Sequence, residues 1–228
     1  MPANTMLANE MLNQLQTALS ARFHKYSISL DVAATSESSA DWSGNSNPTV
    51  TYHRPFEEAQ NVEYLLGCDM PLSELNLRRH PVIELRAYND GIVMEFVLPP
   101  DAWWDQENFI GKLTVNRHRT AFRQLIQKLS SDFRIGFWSG VKLDDLVLNP
   151  LQASHPAVFE QWVSTFCCGQ NWFRVGVWYD TVEAVTPELV NDLFEKAQLL
   201  NSVYEFVSWK GSNDYRAFAQ RDMMLAYA

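Results

Sequence analysis

The sequence predicts a single-domain α+β fold. It is read as a mixed sheet that contains an antiparallel hairpin over residues 82–98 and repeated helix–strand units, with helices packed on the sheet. Three observations carry this reading. Apolar residues recur at helical spacing in several separate segments, two apolar runs flank an Asp-Gly pair, and one helix–strand pattern occurs twice. At 228 residues, with 46% hydrophobic and 20% charged residues, 9 Gly and 10 Pro, the chain can bury a core of ordinary size. The same composition excludes disorder, collagen, a disulfide miniprotein and a coiled coil.

Residues 5–24 read as an amphipathic helix, because Ala8, Met11, Leu12, Leu15, Leu19 and Phe23 share one stripe. A short strand is expected over 27–32. Residues 33–49, with five serines, Gly44, Asn45, Asn47 and Pro48, read as a flexible loop, inside which Asp41-Trp42-Ser43-Gly44 is the one candidate docking feature. A strand over 50–54 and a helix over 55–66 follow. In the hairpin, Asp90-Gly91 reads as a two-residue turn, which sets Leu85 opposite Phe96 and Arg86 opposite Glu95. Pro99-Pro100 ends the strand, and Asp101 is placed to cap a short helix through Trp103.

The repeat comes next. A helix over 116–129 carries Phe122, Leu125, Ile126 and Leu129, and is followed by Phe133-Arg134-Ile135-Gly136-Phe137-Trp138. A helix over 154–166 carries Phe159, Trp162, Val163 and Phe166 at the same spacing, and is followed by Phe173-Arg174-Val175-Gly176-Val177-Trp178. Two strands joined through a helix are expected to run parallel with a right-handed crossover, and their apolar character places them centrally. Residues 204–209 read either as a third, degenerate strand or as the end of one long helix from Pro187. Thr186 and Pro187 are a good start for that helix.

Two places could hold a ligand. Side chains alternate along a strand, so Arg134 and Trp138 share a face, as do Arg174 and Trp178, each pair flanking a glycine. Adjacent in a sheet, two guanidinium groups and two indoles would suit a small anionic or nucleotide ligand. A helix packed over the glycines, with arginines stacked on tryptophans, would satisfy the same pattern. The second place is Arg117, His118 and Arg119 in the first turn of a helix, with Arg123 one turn on, where an anion would offset their unfavourable position at the positive helix end. An exposed turn, or pairing with Asp101, Asp105 or Glu107, accounts for those cations more simply and is the preferred reading.

Little else points to chemistry. The five histidines lack paired ligand spacing, so neither a metal nor a cofactor is expected. His53 with Glu57 and Glu58 is an acid–base group only if the fold gathers them. Cys68, Cys167 and Cys168 form no disulfide framework, and no cationic leader or 18-residue apolar run occurs, so a cytoplasmic home without a membrane partner is expected. The net charge of −9 argues against nucleic acid as a partner. Only residues 78–142, with ten basic and seven acidic side chains, run against it, and they keep a nucleic-acid-acting enzyme as the last alternative. Rich in tryptophan, phenylalanine and arginine, the chain reads first as a non-catalytic module that binds another protein or itself. A small-molecule binder is the second reading.

Overall fold

The computed structural model describes residues 3–35, 47–65, 67, 76–88, 91–138 and 147–216. The expected Asp41–Gly44 docking feature, Cys68 and the hairpin turn itself lie outside the described residues. Helix α1 (Ala3–Lys25) leads into strands β1 (Asp31–Thr35) and β2 (Thr49–His53), then α2 (Phe56–Leu65). The hairpin β3 (Val82–Tyr88) and β4 (Gly91–Leu98) precedes α3 (Trp103–Thr114) and α4 (Asn116–Gln127). The chain continues through β5 (Arg134–Trp138), α5 (Pro150–Ser154), α6 (Pro156–Val163), β6 (Trp172–Tyr179) and α7 (Pro187–Val207).

The α+β class holds, but the sheet is not mixed. Its six strands lie in the order β1-β2-β3-β4-β6-β5, and every neighbouring pair is antiparallel. The expected parallel crossover fails: Leu148 already bridges Ile135 in antiparallel sense before the helices begin, and the described part of the connection then holds two short helices, not one. His155 separates the two helices with extended backbone, and Pro156 starts the second. The chain re-enters the sheet at the end it left, with Trp172 opposite Trp138. β6 is interior as expected, whereas β5 is an edge strand extended by a single bridge from Ile135 to Leu148.

Antiparallel pairing sets the two copies of the repeated motif against each other. Arg134 faces Gly176, Ile135 faces Val175 and Gly136 faces Arg174, so each arginine lies opposite the other strand's glycine. The core forms on the face that carries Ile83, Leu85, Met94, Phe96, Phe173 and Val175, against α1 and α7. The expected stripe of α1 is buried there through Leu12, Leu15, Leu19 and Phe23. Phe109 of α3 stacks on Phe173 at 5.0 Å, and Phe137 stacks on Trp162 at 4.2 Å. Residues 204–209 resolve in favour of the long helix, whose N-terminus Thr186 caps by accepting the Leu189 N–H.

Other boundaries move. The first strand starts at Asp31, not Ser27, and runs into the segment read as loop. Instead of a short turn after Asp101, α3 runs twelve residues, and its first turn has no side-chain cap. The hairpin keeps its two faces but shifts by two residues, because Tyr88 pairs with Gly91, Leu85 with Met94 and Arg86 with Val93. Gly91 is thus a strand residue. A Cβ there would stand 1.9 Å from the Tyr179 carbonyl oxygen, so glycine is required by close backbone approach, not by a turn.

Gly91→Ala should therefore destabilise the fold by about 2 kcal/mol or more, as overpacking against backbone does. Gly211→Ala, with nothing within 4 Å of its new methyl, should stay within about 0.5 kcal/mol of the parent. Urea unfolding midpoints of the two variants check this, and equal midpoints would refute the close approach.

Candidate functional site

The sheet face opposite the core carries a buried charge cluster. Glu84 and Glu95 sit directly across from each other, an arrangement that repels unless cations intervene. Arg86 supplies one, 2.9 Å from Glu95 and 3.6 Å from Glu84, and Arg174 forms a second ion pair with Glu95. Burial opposes the charge on Glu95, but Arg174 and Arg86 outweigh it and hold the carboxyl below its usual range. Gly176 makes this possible, since a Cβ there would lie 2.4 Å from Glu95 Cγ. The glycine between arginine and tryptophan therefore makes room for a carboxylate of this same chain.

The candidate ligand residues are distributed around that cluster. Arg134 and Arg174 do share a face on neighbouring strands. Arg174 is buried on Glu95, whereas Arg134 is exposed and lies over the half-buried ring of Trp178 at 5.1 Å. Trp138 pairs with Trp172 in register. In the candidate anion site, Arg123 donates twice to the Ser154 carbonyl, at 3.0 and 2.7 Å, and so ties α4 to the end of α5. Arg119 reaches Asn116 and, at 3.7 Å, Glu160, while Arg117 donates to His118. The acidic partner of Arg119 is thus Glu160 of α6. His53 Nδ1 lies 2.8 Å from the Arg54 carbonyl, within hydrogen-bond reach of the backbone.

The most elaborate polar assembly lies elsewhere, where the end of β2, α3 and the end of α7 meet. Arg54 and Asp105 form an ion pair at 2.5 Å, with side chains 2% and 0% exposed. Asp105 also accepts the Trp209 N–H at 2.6 Å, and Arg54 donates to the Trp209 carbonyl at 3.3 Å. Burial raises the carboxyl of Asp105, although Arg54 pulls it the other way. One helical turn on, Asn108 donates to the Val207 carbonyl and accepts from the Tyr215 N–H. One more turn on, Lys112 donates to the Phe206 carbonyl at 2.5 Å, with burial lowering its pKa to about 8. Residues 105, 108 and 112 thus form one polar ridge of α3, on which Asn108 and Lys112 donate to carbonyls at the end of α7 and Asp105 accepts the Trp209 N–H.

Beside this assembly opens a cleft of about 560 Å³, within the size range of ligand sites. Glu58, Asn61, Val62, Tyr64 and Leu65 of α2 form one wall. Arg54, Trp209, Lys210, Gly211 and Ser212 complete it. Lys210 is held by Glu205 at 2.9 Å and stands 4.0 Å from Glu58. Trp209 packs edge-on against Trp104 at 5.9 Å, Trp104 against Trp103 at 5.8 Å, and the Arg216 guanidinium covers Trp104 at 4.8 Å. A ridge of three indoles therefore runs away from the cleft.

A scan against protein-family models and a search of curated proteins each return no match. Among the described residues no helix is long and apolar enough to cross a membrane, and no three His, Cys, Asp or Glu side chains gather to hold a metal ion. Sequence reasoning missed the cleft. Arg54 was read only as the end of a strand, and Trp209 as part of an ambiguous one. The one available signal was the adjacent pair Trp103-Trp104 directly before Asp105.

Arg54→Met should destabilise the protein by about 3–5 kcal/mol, because it leaves a buried carboxylate without its cation. Arg54→Met combined with Asp105→Leu should be less harmful than the sum of the two single changes. Denaturant melts of the three variants test this, and strict additivity would show that the two groups are not coupled. A pH dependence follows from His80, which is fully buried with Nε2 3.2 Å from Glu63. Burial, then the charges of Arg54, His53 and Arg79, lower its pKa to about 3. The unfolded chain takes up that proton near pH 6.5, so stability falls as pH drops from about 6.5 towards 3. Relative to His80→Gln, the parent should lose up to about 1.4 kcal/mol per pH unit in that window. Parallel stability curves for the two proteins would refute a buried neutral imidazole.

Proposed function

We propose that this chain is a non-catalytic protein-interaction module, and that its docking surface is the cleft between α2 and the end of α7, with the adjoining indole ridge. One observation carries the reading. Of the six large apolar side chains exposed among the described residues, Tyr64 at 74% and Leu65 at 50% line this cleft, and Trp103 at 44% ends the indole ridge that starts from it. Single exposed apolar residues need no explanation, but a contiguous group beside a cleft marks a contact surface. Tryptophan, tyrosine and arginine dominate binding hot spots, and Trp209, Trp104, Trp103, Tyr64 and Arg216 all occur here. The site is also held firmly, since Trp209 is bonded through both its N–H and its carbonyl to the buried Arg54–Asp105 pair. A surface ordered before binding loses less entropy on association.

The test is site-specific photocrosslinking in the native cells, with a benzophenone amino acid at position 64 and, as control, at position 151, where Leu151 is 82% exposed on a different helix. A discrete adduct at 64 and none at 151 is expected. The reconstituted complex with that partner should then be weakened by about 2 kcal/mol or more in Trp103→Ala/Tyr64→Ala. The reading is overturned by identical adducts at both positions, or by a complex indifferent to the double substitution.

A further inference from the structure

Resting on that docking reading, we infer that the cleft's occupant in the free protein is the chain's own residues 217–228, which a partner must displace. Position is the first argument. Residues 217–228 lie outside the described residues, but the point from which they continue is fixed. Tyr215 donates its N–H to Asn108, Arg216 donates its N–H to Asp214 at 2.9 Å, and the Arg216 guanidinium covers Trp104 at 4.8 Å. Trp104 in turn meets Trp209, which lines the cleft. The segment therefore starts one indole away from the cleft wall. Its twelve residues reach about 40 Å when extended, far more than those two ring contacts span. Composition is the second argument. Only Gln220, Arg221 and Asp222 of the segment are polar, whereas Phe218, Met223, Met224, Leu225 and Tyr227 are large and apolar. The cleft offers Val62, Tyr64, Leu65 and Trp209 to such side chains, and Tyr64 and Leu65 are exposed. Contact removes apolar surface from water on both sides, and methionine adapts to an irregular wall. Charge is the third. Arg54 and Lys210 are already matched by Asp105 and Glu205. Glu58 is less well served: it stands 4.0 Å from Lys210, whose ammonium both Glu205 oxygens already hold. Arg221 supplies the missing cation, and Asp222 beside it keeps the segment neutral overall. A tether this short gives an effective concentration on the order of 1 mM. A contact with an intrinsic Kd of about 0.1 mM then lowers a partner's apparent affinity about tenfold.

The experiment irradiates the purified full chain, alone and dilute, with the benzophenone amino acid at position 64 or, as control, at position 151, and maps the crosslinked peptides by mass spectrometry. A crosslink within one chain from position 64 into residues 217–228 is expected, and none from position 151. In the full-length Phe218→Asp/Leu225→Asp variant its yield should fall about tenfold. On the unaltered segment, about 1 mM of a capped synthetic peptide of residues 217–228 should halve the intrachain crosslink and form its own adduct at position 64. The inference is overturned if position 64 crosslinks elsewhere in the chain or only between copies, if the double variant crosslinks as the parent does, or if the free peptide neither competes nor forms an adduct. A partner adduct at position 64 in cells, without the intrachain crosslink, would remove the occupant and leave the docking surface standing. The intrachain crosslink without any partner adduct would remove the docking reading and leave the occupant in place.

Discussion

The ion pair between Arg54 and Asp105 organises the side of the molecule where its cleft lies. It joins three segments far apart in the chain: the residue after β2, the first turn of α3 and the residue two beyond α7. A buried pair of this kind adds little net stability, because desolvating both ions offsets most of their attraction. What it fixes is position. Arg54 without Asp105, or Asp105 without Arg54, is a buried charge with no counterpart, so the fold tolerates only arrangements that bring them together. Because Trp209 bonds to both partners, the direction in which the chain leaves α7 is set by the same contact. Asn108 and Lys112 extend the constraint along α3, and Tyr215 lies over Gly111 between them, where a Cβ would stand 2.4 Å from its ring.

Much of the secondary structure was legible because its signal is local. The stripe of α1, the Thr186-Pro187 start of α7 and the two apolar runs of the hairpin follow from spacing and capping alone. The pairing of strands was not, because it depends on what lies between them. His155-Pro156 looks like a minor irregularity in a helical pattern, yet it divides the connection into two helices, and Leu148 has by then already turned back along β5. The hairpin register slipped for a related reason. Asp-Gly is the strongest local turn signal, but Gly91 answers to the Tyr179 carbonyl on a strand 88 residues away. A non-local packing demand left the same residue in the sequence as a turn would have.

The same division runs through the candidate sites. Alternation along β5 and β6 put Arg134 and Arg174 on one face, and they are there. Nothing in either motif said that Glu95, from a strand the sequence does not join to β6, would reach over Gly176 to meet Arg174. The cleft was illegible for a stronger reason. Its residues come from positions 54–65 and 209–212, of which only Trp209 fell in a candidate motif, and only their convergence gives them meaning. Trp103-Trp104 was visible as a pair, but α3 begins without a side-chain cap, so the sequence offered no sign that a long helix started there.

The two buried charge clusters differ in what they leave at the surface. Around Glu95, two arginines, a second carboxylate and a glycine close the space, and the result is a sheet with matched charges. Around Asp105, the ions are as deeply buried, but the chain that they hold emerges at once as Trp209-Lys210-Gly211-Ser212, the lining of an open cleft. Ionic strength should therefore touch the two levels unequally. Ions buried to 2% exposure or less are poorly screened, so the framework of the cleft persists in salt. Under the proposed docking reading, recognition by indole and phenol faces would strengthen where apolar burial is favoured, as with sulfate-type salts, and would not fade as a charge-steered contact does. Ions set the geometry, and the aromatic surface is what the proposed contact would use.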